Sequence, residues 1–215
     1  MNNLLIESLK KRRTQYALGE ALPFSEQETT LLIQEAIRLA PSSFNSQSSR
    51  AVILYGEQSR ELWNIAESAL RKIVPAEAFA ATKAKIDGFA AGAGTVLFYE
   101  DQNVVKGLQE KFALYADNFP VWSEQASGMA QFAVWSALAN ADIGASLQHY
   151  NPLIDAEVAA RWQIPTSWKL RAQMPFGSNE KAFGDKAFMD DIQRFKVFHS
   201  AVDNDGAVRE IRQYA

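Results

Sequence analysis

The stretch from Ser123 to Ala141 constrains this chain more than any other. Met129, Phe132, Trp135 and Leu138 recur there at helical spacing, with alanine on nearly every other side, so the predicted helix is apolar around its whole circumference. Such a helix is stable in water only when it is covered from all sides, in the middle of a fold or within a subunit interface. Nowhere does the sequence hold the roughly 20 consecutive apolar residues that cross a bilayer. Other parts of the chain must therefore supply the cover, or a second copy must.

Short elements separated by turn residues are legible around it. Ser25 and Glu28 form a capping box, in which hydroxyl and carboxylate each accept from an amide left unpaired at a helix start. Leu32, Ile33, Ala36, Ile37 and Ala40 follow at helical spacing until Pro41 closes the segment. Arg50 to Tyr55 runs apolar without alternation and stops at Gly56, the pattern of a strand buried on both faces. Helical spacing returns from Arg60 to Ile73, a further helix can begin at Pro75, and another runs from Gln102 to Tyr115. Thr95 to Tyr99 is a second fully apolar strand, introduced by Ala91-Gly92-Ala93-Gly94. After Asn151-Pro152 a helix passes through Val158 and Trp162 to Pro165. Leu170, Ala172, Met174 and Phe176 alternate strictly, which predicts a half-buried strand, and Arg194 to Phe198 is a candidate for another. Helices dominate and strands do not alternate with them regularly, so the fold class is α+β. One domain is expected over residues 1–198, with the polar residues 199–215 as a C-terminal extension.

Several chemistries are excluded. The sequence holds no cysteine, which removes disulfide frameworks, thiolate metal sites, iron–sulfur clusters and thiol nucleophiles together. Its two histidines, His149 and His199, stand outside any metal-binding spacing, so no metal site is predicted. Gly88, Gly92 and Gly94 precede their strand at the wrong spacing for a dinucleotide fingerprint, and read instead as close packing or a hinge. The 22 Lys+Arg and 25 Asp+Glu are mixed along the chain for a net charge of -3. Nucleic-acid affinity rests on phosphate contacts, so no nucleic-acid partner is expected. Leu4-Leu5-Ile6 precedes Lys10-Lys11-Arg12-Arg13, the reverse of a signal-peptide order. A cytoplasmic protein without a membrane partner is the expectation.

Two polar clusters stand out. Pro41-Ser42-Ser43-Phe44-Asn45-Ser46-Gln47-Ser48-Ser49-Arg50 lies between the capped helix and the first strand, and concentrates hydroxyl, amide and guanidinium groups. These groups suit a heteroaromatic edge or a polyol chain, although a serine-rich turn is the plainer reading. Arg12-Arg13-Thr14 pairs two guanidinium forks with a hydroxyl, a good phosphate grip. Cations in the last turn of a helix also complement its dipole, which is the competing account.

Taken together, Arg12-Arg13-Thr14 and Ala40-Pro41-Ser42-Ser43-Phe44-Asn45-Ser46-Gln47 resemble the opening signature of the nitroreductase family of flavoenzymes. The likeness continues through Gly94-Thr95-Val96-Leu97-Phe98-Tyr99-Glu100-Asp101, Gly144-Ala145-Ser146-Leu147-Gln148 and Met174-Pro175-Phe176-Gly177, segments similar to a short subgroup named for fatty-acid repression. It covers nearly all of residues 1–198, and its most specific part is the serine-rich motif.

The resemblance implies a nitroreductase-like fold, with a central, mostly antiparallel sheet flanked by helices, built as an intertwined homodimer with FMN at the interface. It implies an oxidoreductase that takes hydride from NADH or NADPH by a ping-pong mechanism and reduces quinones or nitroaromatic acceptors. The alternative is a non-catalytic flavin or nucleotide-phosphate binding protein, or a sensor, on the same fold. Carried over residue by residue, Arg12, Arg13 and Thr14 hold the phosphate and ribityl end of FMN. Pro41, Ser42, Ser43 and Asn45 come from the partner chain with Gln47 beside them. Gln148 and His149 fall near the isoalloxazine, and Lys186 completes the phosphate site. No side chain is implied as a catalytic acid or base. Tyr16 stands where many members carry a second basic residue, and Ser48-Ser49 replaces the usual Pro-Trp.

Overall fold

The computed structural model describes residues 3–198. The chain divides into two compact units, Met1–Phe183 and Gly184–Ala215. The first carries α1 (Leu4–Lys11), β1 (Leu18–Gly19), α2 (Glu26–Leu39), β2 (Ser49–Tyr55), α3 (Gly56–Arg71), α4 (Phe79–Ala90), β3 (Gly94–Asp101), α5 (Gln102–Lys111), α6 (Phe119–Asn140), β4 (Gly144–Ala145), α7 (Asp155–Trp162) and β5 (Trp168–Asn179). In the second, α8 (Asp191–Arg194) is a single turn opened by the Asp190 side chain. The strand anticipated over Arg194 to Phe198 is therefore absent, and the 199–215 extension, with His199, lies outside the described residues.

The sheet runs β1-β5-β3-β2 with β4 paired to β5, and each strand pair is antiparallel. β3 lies in its interior and has helices on both faces. Leu97 and Tyr99 join a core with Leu62, Trp63 and Ala66 of α3, Phe89 of α4 and Val158 of α7. Val96 and Phe98 join the opposite core with Ile33 of α2 and Val134 and Leu138 of α6. Two-sided burial is why β3 reads as an unbroken apolar run.

Burial of the other two long strands differs from their sequence pattern. β2 forms the sheet edge and only Leu54 in it is fully buried, because an edge strand has a neighbour on one side alone. β5 pairs with three strands and is buried on both faces from Ala172 to Gly177, so it is not half-exposed. Its polar alternate position, Gln173, is buried because its amide is satisfied: Oε1 accepts from Tyr150 N at 2.7 Å and Nε2 donates to Asn151 Oδ1 at 3.3 Å.

The apolar helix starts earlier than its periodicity shows, at Phe119, with Pro120 in the first turn where a missing N–H costs nothing. α5 stops at Lys111 and a separate 3-10 turn holds Ala113–Tyr115. The glycines before β3 serve packing. A Cβ on Gly94 would lie 2.6 Å from Leu54 O and 2.6 Å from the Phe176 ring.

Candidate functional site

The two polar clusters occupy opposite ends of α6. Near its N-terminal end, the chain between α2 and β2 forms a turn in which Phe44, Asn45 and Gln47 all have left-handed backbones, with φ of 58°, 49° and 48°. Each such non-glycine residue costs about 1–3 kcal/mol and persists only where its surroundings dictate it. Here they do. Ser42 Oγ accepts from Gln47 N at 3.0 Å, and Arg50 Nη1 donates to Gln47 O at 2.7 Å. Arg50 is itself fixed by Asp101, at 3.1 Å. The Phe44 ring packs among Phe112, Tyr115, Phe119 and Trp122, with centroid separations from 4.9 Å for Phe112 to 6.1 Å for Tyr115. A half-exposed phenylalanine and three strained residues define a built feature rather than a simple connection.

Beneath this turn lies a carboxyl group. Even-numbered positions of β3 face α6, and the last of them, Glu100, stands opposite Ser49 with no exposed surface. Ser48 Oγ donates to Glu100 Oε2 and Ser49 Oγ to Oε1, each at 2.5 Å, and Ser123 Oγ of α6 lies 3.3 Å from Oε2. Burial raises the pKa of Glu100, the three hydroxyls pull it down, and the charge of Glu124 adds to the rise. Among the described residues no cation forms an ion pair with it.

At the other end of α6, Thr14 bridges to Ala145 of β4 and Gln15 N donates to Ala145 O at 2.9 Å. Trp135 Nε1 donates to the same carbonyl at 3.2 Å, and the Arg12 guanidinium lies 4.4 Å from the Trp135 ring centroid. Arg13 lies 5.7 Å from the Phe183 ring. Partial burial, then the adjoining charge of Arg13, lower the pKa of Arg12. No described carboxylate pairs with Arg12, whose guanidinium is held beside that of Arg13. α1 ends at Lys11, so the pair stands just past the last helical turn.

These clusters are separated by the length of the helix between them. Trp122, against the turn, and Trp135, against Arg12, are about 20 Å apart along α6 at about 1.5 Å per residue. The sheet gives the same span: Ala145 is level with Gly94 through Phe176, and Glu100 lies about 20 Å further along β3. One chain does not bring Arg12, Arg13 and Thr14 together with Pro41, Ser42, Ser43, Asn45 and Gln47.

Gln148 is buried on the sheet, exchanging backbone hydrogen bonds with Gln173 at 2.7 and 2.9 Å while its Nε2 donates to Ser146 Oγ at 3.1 Å. His149 beside it is exposed. Lys186 belongs to the second unit, where its Nζ lies 5.0 Å from the Phe188 ring. Glu100 is the residue that inspection of the sequence overlooked as a site element, and its signal was an acidic residue ending an otherwise apolar run. Among the described residues no cluster of His, Asp and Glu forms a metal site, and no helix is long and apolar enough to cross a membrane.

Residues 9–178 match the model of the nitroreductase family, and the chain belongs to that family of oxidoreductases. It is 35% identical over 193 residues to HBN1 of Saccharomyces cerevisiae, covering 88% of this chain and 96% of that protein. Nitroreductase CinD from Lactococcus lactis, in a structure with chloramphenicol, is 52% identical, with a TM-score of 0.83 over 91% of this chain and 100% of that one. CinD also has a structure with 4-nitrophenol. A more distant structure from Desulfovibrio desulfuricans, 17% identical with a TM-score of 0.67 over 92% of this chain and 99% of that one, shares the fold and is in complex with FMN. The nitroreductase fold expected from the sequence, a largely antiparallel sheet between helices, is thus the fold observed.

Proposed function

We propose that this protein is an FMN-dependent NAD(P)H oxidoreductase acting on nitroaromatic or quinone acceptors, with each flavin held between two copies of the chain. The observation that carries the reading is that Arg12, adjoining Arg13 and without a described carboxylate partner, stands at one end of α6 while the strained serine turn stands at the other. A phosphate is the group that two guanidinium forks and a hydroxyl fit best. It would supply the missing countercharge at Arg12. The turn offers what a ribityl chain requires, several hydroxyl and amide groups on a backbone that is already fixed.

When bound, FMN supplies the hydride and electron-transfer chemistry. The chain's residues bind and orient. Arg12, Arg13 and Thr14 take the phosphate, and Pro41, Ser42, Ser43, Asn45 and Gln47 of a second copy take the ribityl side. Gln148 and His149 stand by the ring system. The reaction balances as NAD(P)H plus a proton and a quinone giving NAD(P)+ and the hydroquinone, with donor and acceptor occupying one space in turn. No side chain is required as acid or base. The CinD complexes support the acceptor class, since chloramphenicol and 4-nitrophenol are both nitroaromatic.

Anaerobic titration of the purified protein tests this. A yellow protein whose visible absorbance bleaches with NADH or NADPH and returns with 4-nitrophenol or a quinone is expected. A yellow protein inert to both nucleotides would be a flavin-binding module instead, and a colourless one that takes up no FMN would overturn the reading.

A further inference from the structure

Glu100 sits where an ionised carboxyl is hard to keep. It has no exposed surface, and hydroxyl dipoles from three segments take the place of a counter-ion: Ser48 from the end of the turn, Ser49 from β2 and Ser123 from α6. The charged groups around it offer little. Glu124 on α6 repels it, Arg50 on β2 is engaged by Asp101 on β3, and Lys169, opposite it on β5, is exposed. Ser48 directly follows Gln47, one of the three residues with a left-handed backbone. Whatever holds Ser48 therefore holds the far arm of the turn.

We propose that Glu100 is a positioning residue for the flavin site: ionised, it draws the Ser48, Ser49 and Ser123 hydroxyls together and so keeps residues 42–47 in the strained shape that presents Ser42, Ser43 and Asn45. The inference rests on the flavin reading above. A neutral carboxyl no longer lends its hydrogen bonds the assistance of a negative charge, so on protonation the bonds to the three serines weaken. The restraint on Ser48 then slackens and the left-handed residues relax toward ordinary backbone. Flavin affinity falls as the pH drops through the titration of Glu100, which burial moves upward.

The test is the FMN dissociation constant of reconstituted protein, read by quenching of flavin fluorescence from mildly acidic to mildly alkaline pH. The phosphate of FMN contributes a pH slope of its own that is common to every variant, so the comparison is between proteins. Glu100→Gln is expected to bind roughly tenfold more weakly than wild type at alkaline pH and to lose the wild type's extra slope. Glu100→Asp, which keeps the charge, retains that slope. Identical affinity and profile in wild type and Glu100→Gln overturn the proposal and leave the flavin reading standing. A wild-type chain that binds no FMN at any pH overturns the flavin reading itself. Should Glu100→Gln fail to fold, Ser49→Ala and Ser123→Ala replace it. Each removes a hydroxyl that favours the ionised form, so the midpoint of the profile moves to higher pH, and an unmoved midpoint in both overturns the proposal.

Discussion

The Arg12 guanidinium lies over the Trp135 indole, 4.4 Å from the ring centroid, while the indole N–H is committed to Ala145 O. The ring therefore packs against the cation without neutralising its charge.

Removing this charge weakens any phosphate grip in a salt-dependent way. Arg12→Ala combined with Arg13→Ala is expected to raise the FMN dissociation constant by about 100-fold or more, since each charge-assisted hydrogen bond is worth roughly 1.5–3 kcal/mol. The loss grows as sodium chloride is added to proteins that keep part of the cluster. Flavin retained on ultrafiltration is the measure, and equal retention by wild type and the double variant across all salt concentrations refutes the phosphate assignment.

A shared site requires pairing. Met129 and Phe132 of α6 and Leu5 of α1 are exposed in the single chain, at 39%, 46% and 64%. Wild type is expected to sediment at twice the 23.9 kDa of one chain, and Met129→Asp with Phe132→Asp is expected to sediment as a monomer that has lost its FMN. A monomeric wild type that keeps its flavin contradicts the pairing.

The sign of the Glu100 effect on stability is opposite to its effect on the site. Its folded pKa lies above the ordinary 4.5, so the fold favours the neutral form. That contribution is fully present below about 4.5 and is lost as pH rises through the folded value. The Tm of Glu100→Gln apoprotein should accordingly fall less than that of wild-type apoprotein from weakly acidic to neutral pH. Parallel Tm curves would show that Glu100 titrates at its ordinary value.

Gly94 admits no side chain. A Cβ there meets Leu54 O and the Phe176 ring at 2.6 Å, and backbone and a buried ring have little room to give. Gly94→Ala is expected to lose about 1–3 kcal/mol in urea unfolding, the usual cost of overpacking a core. A change below about 0.5 kcal/mol, the range of a surface substitution, would mean the strand shifts freely.

Legibility of the sequence followed the number of independent cues at each place. α2 carried periodicity, a capping box and a closing proline, and the box is observed with both of its bonds. β3 was readable because helices cover both of its faces. β2 and β5 were misjudged because burial of a strand depends on its neighbours in the sheet, which its own residues do not encode. β1 and β4 are two residues each and have no period to detect. Within the site, the residue types of the turn were evident from its sequence. Its left-handed backbone at Phe44 was not, since nothing about phenylalanine favours that conformation. Glu100 was missed because its meaning depends on Ser123, a residue of another element entirely.

The span of α6 between Trp122 and Trp135 bears on inheritance as well as on chemistry. If each flavin draws its arginines from one copy and its serine turn from the other, two damaged alleles can complement. A chain lacking the arginine pair, joined to one lacking the turn, puts both defects into one site and leaves the second site whole. Co-expression of two individually inactive variants would then restore up to half the activity of a mixed particle, whereas either variant alone restores none.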